Sequence, residues 1–174
     1  MRPRLLLMLL LAFPNVEAFA AEKPLHSSSQ TFADRFYRTL TDLKIRGLPS
    51  DSQLKTLSPF LSPELITLFE NARRDQSRFL RSNPGDKPPW IEGDVFSSLF
   101  EGFTSYKIGN PQDHDEGLAV PIKLEYGPKK PKEVRWTDLL ILDRTSGEWK
   151  VANIIFKGKW EFKSGSSLKK NLQR

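Results

Sequence analysis

Two hydrophobic periods divide the chain. In the first half, Phe32, Phe36, Leu40 and Leu43 recur at helical spacing and form one apolar face. Thr31 with Asp34 reads as a capping pair, and Gly47 followed by Pro49 as the stop. Ser50 with Gln53 opens a short second helix through Leu54 and Leu57, ended by Pro59. Ser62-Pro63-Glu64 then starts a third helix, with an N-cap, a first-turn proline and an acid suited to the helix dipole. Its apolar face is Leu65, Phe69, Ala72 and Phe79, while Arg73, Arg74, Asp75, Arg78 and Arg81 are left for water. Asn83 to Pro89 is a proline-rich loop, after which Asp94 can cap a short turn through Phe100.

Beyond Ser105 the period changes to two. Ser105 to Ile108 is a short strand candidate. Leu118, Val120, Ile122, Leu124 and Tyr126 alternate with Ala119, Pro121, Lys123 and Glu125 as a half-buried strand. Val134 to Phe162 reads as a long hairpin around Thr145-Ser146-Gly147, and it carries three of the four tryptophans. Simple alternation puts Trp136, Asp138 and Leu140 on one face of its first strand. In the return strand it puts Val151, Asn153 and Ile155 together, opposite Ala152, Ile154 and Phe156. Asp138 and Asn153 therefore stand out as polar residues on otherwise apolar faces. A buried carboxylate needs hydrogen bonds or a positive partner.

Residues 1–20 change the picture of where this domain works. Arg2 and Arg4 precede the apolar run Leu5 to Phe13, and Ala18-Phe19-Ala20 matches a small-x-small cleavage site. The run is too short for a resident membrane helix, so the expectation is a cleaved signal peptide and a periplasmic or secreted protein. Residues 21–30 follow as a flexible lead-in, and residues 31–174 as one domain of ordinary size. A content of 38% hydrophobic and 28% charged residues is enough for a packed core, which excludes wholesale disorder. There is no cysteine, so disulfides and thiol chemistry are excluded. Removing Arg2, Arg4 and Glu17 with the leader lowers the net charge only from +6 to +5. That excess is spread over Lys129, Lys130, Lys132 and the C-terminal Lys169 and Lys170, not concentrated as nucleic-acid binding demands.

No catalytic motif emerges, and no cofactor is implied. Phosphate-binding glycine loops, G-x-S-x-G and H-E-x-x-H are all missing. The acidic stretch Asn110 to Gly117, with His114, lacks calcium-loop spacing, so no metal is expected. Ser166-Ser167-Leu168-Lys169 matches Ser-x-x-Lys but sits in a terminal tail without companion motifs. The candidate ligand pocket is lined by Tyr37, Trp90, Trp136 and Trp160, with Asp138 and Asn153 as polar contacts.

Helices followed by about four strands, with the longest hairpin last, predict an α+β fold in which N-terminal helices pack on a curved antiparallel sheet. Several short pieces, in order, resemble a family of exported bacterial proteins with the cone-shaped roll of nuclear transport factor two. They are Phe36-Tyr37, Gly93-Asp94-Val95-Phe96, Trp136-Thr137-Asp138, Trp149-Lys150-Val151, Asn153-Ile154, Gly158-Lys159-Trp160-Glu161-Phe162 and Gly165-Ser166-Ser167-Leu168. The resemblance implies fold and compartment and no agreed activity. An acid is common in that family where Asn153 stands, so this chain departs there. The expected role is a non-catalytic binding or interaction protein, taking a small ligand or an envelope or periplasmic protein, with no nucleic acid and no resident membrane span. Two alternatives are an isomerase or dehydratase using Asp138 and Tyr37, and an immunity-type protein facing an exported toxin. A further one is an envelope role through the basic loop at Lys129 to Lys132.

Overall fold

In a computed structural model, the chain folds as helices followed by a curved, unclosed antiparallel sheet, an α+β arrangement consistent with the expected roll. The structure describes residues 17–127, 134–144, 147–160 and 166–173, with side chains from His26 onward. Residues 1–16 of the expected leader and the basic loop at Lys129 to Lys132 lie outside the described residues. Helices α1 (Glu17–Leu43), α2 (Asp51–Leu57) and α3 (Pro63–Ser82) precede strands β1 (Ser105–Ile108), β2 (Gln112–His114), β3 (Gly117–Tyr126), β4 (Val134–Asp143) and β5 (Lys150–Ile155). A short α4 (Leu168–Leu172) ends the fold. Among the described residues, no helix is long and apolar enough to cross a membrane.

The capping signals of the second and third helices form as anticipated. The Ser50 side chain accepts from the Gln53 amide while the Gln53 side chain accepts from that of Ser50. The Ser62 hydroxyl accepts from the Leu65 amide, with Pro63 opening α3. The first helix differs. It does not start at Thr31, because residues 17–30 are already helical and include the stretch read as a lead-in. Thr31 donates to the Ser27 carbonyl inside the helix, and Asp34 pairs with Arg38 one turn on. Ser29 is fully buried, and Trp149 of the hairpin donates to the Ser28 hydroxyl. These tertiary contacts hold a segment that has no apolar periodicity of its own.

Ala33, Phe36, Tyr37 and Leu40 of α1 and Leu65, Phe69 and Ala72 of α3 bury one face of the sheet. From the sheet, Val120, Ile122, Leu124, Leu140, Leu142, Val151 and Ile154 meet them. The strand order is β1-β3-β4-β5, with β2 also paired to β3. The acidic stretch at 110–117 is thus partly strand, with His114 opposite Gly117. The chain between α2 and α3 runs beside β5, where Ser62 N donates to Val151 O and Val151 N to Phe60 O.

One irregularity resets the face pattern of the hairpin. Ile141 pairs with Asn153, but Leu142 pairs with Val151, so Ala152 is an inserted residue, a β-bulge. Val151 and Ile154 therefore both point inward. Ala152 and Asn153 turn to the outer face, where Ala119, Ile141 and Ala152 form a small second cluster. Simple alternation had grouped Val151 with Asn153, and the bulge separates them.

The tail is also a correction. Ser167 caps α4 by accepting from the Lys170 amide, and Leu168 and Leu172 are buried. Ser167 is thereby used as a cap, and Lys169 bonds Glu64 of α3.

Gly117 starts β3 at φ 134°, and a Cβ there would overlap the Leu142 carbonyl of the neighbouring strand. Neither backbone can yield without breaking the β3–β4 ladder. Gly117→Ala is expected to lower stability by about 2 kcal/mol, read as a lower denaturant midpoint at unchanged slope.

Candidate functional site

Asp138 is the polar centre of the fold. It lies on the inward face of β4, opposite Ile122, and is 0% exposed. Its Oδ2 accepts from the Ser98 amide at 2.9 Å and from the Trp136 indole at 3.0 Å, and its Oδ1 from the Lys157 amide at 2.8 Å. Three N–H donors from three segments thus meet one carboxylate. Hydrogen bonds to a charged acceptor are the stronger kind, and they offset the cost of removing the charge from water. Nearby, the Ser98 hydroxyl accepts from the Gly158 amide.

Two donors beside this centre have no acceptor. The Tyr37 hydroxyl and the Trp160 indole N–H are both buried without a hydrogen-bond partner among the described residues. Tyr37 is fully enclosed by Phe36, Phe103 and Tyr106, with ring centroids 5.4–5.6 Å away. Burial pushes its pKa well above the ordinary phenol value, and the charges of Asp138 and Asp94 push it further. It is a neutral O–H at physiological pH. Trp160 meets Trp136 edge-on at 5.6 Å and packs against Gly158 and Ser98.

Asp94 supplies the second carboxyl. It lies in the loop between α3 and β1 and accepts from the Phe96 amide at 2.6 Å. The helical turn through Phe100 that the sequence predicts Asp94 to cap does not form. Residues 94–100 are irregular, and the carboxylate closes a tight turn onto the i+2 amide instead. It also lines a cleft of about 450 Å³ with Leu40, Thr41, Arg46, Gly102 and Phe103. Burial pushes its pKa up to about 6, and the Asp138 charge adds to that rise. The Phe96 amide and the Arg46 charge oppose it. Phe103 and Leu40 line this cleft, and the Phe103 ring packs on that of Tyr37, which sits behind it and does not itself line the cleft.

Of the six residues anticipated for the pocket, Trp136 touches both Asp138 and Trp160, and Tyr37 lies close enough to feel the Asp138 charge, but none of these four lines the Asp94 cleft. The other two lie elsewhere. Trp90 adopts φ 53° in the loop after α3, lines a separate shallow cleft with Phe79, Ile91 and Phe100, and donates its indole N–H to Asn171 O of α4. Asn153 faces the outer side of the sheet because of the bulge. There its Oδ1 accepts from the Ile154 and Lys169 amides, which tethers α4. Asp138 also differs from the exchangeable base its isolation suggested, since its oxygens already hold three donors. Asp94, read as a cap, is the carboxyl left facing a cleft. Among the described residues, no group of three or more His, Asp or Glu side chains is placed to hold a metal ion. No protein family, no characterised protein and no solved structure matches this chain.

Replacing Asp138 with Ala strands two buried donors, the Ser98 amide and the Trp136 indole, each costing about 1–3 kcal/mol, and frees the part-buried Lys157 amide. Asp138→Ala is expected to lose at least about 2 kcal/mol in denaturant unfolding. Asp138→Asn should recover only part, because its amide N–H2 faces other N–H donors. Asp94 has a distinct signature in pH. Its folded pKa, about 6, lies above the ordinary 3.8, so the folded state holds the proton more tightly. Its contribution is full below pH 3.8 and lost as pH rises through about 6. Relative to Asp94→Asn, the natural protein should gain stability as pH falls from 7 to 4. A constant difference across that range would show that Asp94 titrates normally.

Proposed function

We propose that this chain is an exported, non-catalytic binding protein. A small polar ligand enters the cleft beside the end of α1, displaces the Phe103 ring that covers Tyr37, and accepts a hydrogen bond from the Tyr37 hydroxyl. Export rests on the leader pattern of residues 1–20. The binding reading rests on one observation above others: a fully buried phenol with no acceptor, behind the wall of a cleft that holds a half-buried carboxyl. A buried donor without a partner costs about 1–3 kcal/mol, and an acceptor atom of a ligand recovers it. The flanking rings of Phe103 and Tyr106 suit a flat or compact apolar body behind that acceptor.

A second reading follows from Asp94. A carboxyl with a pKa near neutrality beside a neutral phenol is the minimum for moving a proton next to a carbonyl, with Tyr37 holding the oxygen. In that isomerase- or dehydratase-like reading the base is Asp94, and Asp138 positions the loop at Ser98.

The test is a thermal-shift screen of small cyclic ketones and carboxylates, run on the natural protein and on Tyr37→Phe. The expected result is a compound whose affinity falls about tenfold in Tyr37→Phe, the worth of one hydrogen bond. If no compound distinguishes the two proteins, the cleft does not work through Tyr37. Incubating any such ketone in D2O separates the readings. Exchange of its α-hydrogens that disappears in Asp94→Asn is catalysis, and binding without exchange is not.

A further inference from the structure

A second cavity, of about 860 Å³, lies at the other end of the hairpin between α1, the α2–α3 connection and the start of β5. Its floor is aromatic. Phe32 packs on Phe60 at 5.7 Å between ring centroids, Phe60 continues to Phe36 at 5.9 Å, and Trp149 forms the hairpin side. Its rim is cationic. The Arg35 guanidinium lies over the Phe60 ring at 5.7 Å, and that of Arg144 over the Trp149 ring at 5.6 Å. Lys150 also lines the cavity, but its ammonium is engaged by Pro59 O and Glu148. Glu148 is the one carboxylate in the lining.

Each of these features narrows the occupant. A guanidinium stacked on a ring is held flat, and its N–H edge is preorganised for a planar anion. The rings beneath remain unpolarised surface that water or an inorganic ion would not use. The volume lies within the range of small-molecule sites. The Trp149 indole N–H is bonded to the Ser28 hydroxyl at 3.0 Å, so the two walls are tied together before any ligand arrives. A preformed site loses less order on binding.

We propose that this groove binds an aromatic carboxylate, with the ring against Phe32 and the ring surfaces of Phe60 and Trp149 that the guanidiniums leave open, and the carboxylate between Arg35 and Arg144. This site is separate from the Asp94 cleft and stands or falls independently of it.

The probe is 2-naphthoate, titrated into the purified protein by calorimetry and by tryptophan fluorescence. Neutral 2-naphthalenemethanol and acetate serve as the two half-ligands. Saturable binding of 2-naphthoate is expected, with both half-ligands at least tenfold weaker. Arg35→Gln should weaken it several-fold and Arg35→Gln with Arg144→Gln at least tenfold, with the melting temperature unchanged because both arginines are exposed. Arg144 also donates to the Gly147 carbonyl at the hairpin turn, so a circular-dichroism melt of the double variant accompanies the titration, and a loss of affinity in a folded protein reads on the site. Trp149→Phe should remove most of the fluorescence response while calorimetric binding persists. No saturation below about 1 mM, equal binding of the neutral alcohol, or indifference to the double substitution would each overturn the proposal.

Discussion

The fold turns on one buried negative charge. Asp138 is enclosed in a core of Ile122, Leu124, Trp136 and Leu140, where an unpaired carboxylate would be intolerable. It is tolerated because Ser98, Trp136 and Lys157 each turn an N–H toward it. The dependence runs both ways. The loop after α3 and the chain after β5 have no ladder partners at Ser98 and Lys157, and the carboxylate supplies what the sheet does not. A hydrophobic residue on β4 would pack as well but would leave both segments without an anchor. The charge therefore specifies the path of two irregular segments, and those segments frame the interior.

The bulge in β5 is the second constraint, and it acts through geometry alone. With Ala152 in regular register and no bulge, a strand with Val151 inward would place Asn153 inward and Ile154 outward. With the bulge, Val151 and Ile154 both enter the core, and the amide of Asn153 reaches the outer surface to hold α4 through Lys169. One extra residue thus converts an awkward sequence into a closed core and a tethered C-terminus.

These two features mark how far the sequence could be read. The helices with caps and clean apolar faces, α2 and α3, were legible because Ser50, Gln53, Ser62 and Pro63 carry their own local chemistry. The alternation of β3 and the inward side of β4 were legible for the same reason. The start of α1, the bulge and α4 were not. Each depends on a contact from a distant part of the chain: Trp149 on Ser28, Leu142 on Val151, Trp90 on Asn171. The site was half legible. Asp138 announced itself by its apolar neighbours, and Tyr37 stands beside Phe36 of the helical stripe. Asp94 did not, because a cap and a cleft carboxyl are spelled alike. Its loop position says nothing of the burial or of the nearby Asp138 that change its proton affinity.

The orphan donors bear on what kind of interior this is. A core built for stability alone would favour Phe at position 37, where the ring already packs on Phe36, Phe103 and Tyr106. The hydroxyl adds nothing to that packing and costs its lost hydration. The same holds for the Trp160 indole N–H, which has no acceptor among the described residues, since another apolar ring would meet Trp136 without a donor to satisfy. Two such costs beside one saturated carboxylate and one half-buried one leave an interior that is locally under-satisfied while the surrounding packing is complete. In the binding role proposed above, an acceptor brought by the ligand would satisfy the Tyr37 hydroxyl once the Phe103 ring has moved aside.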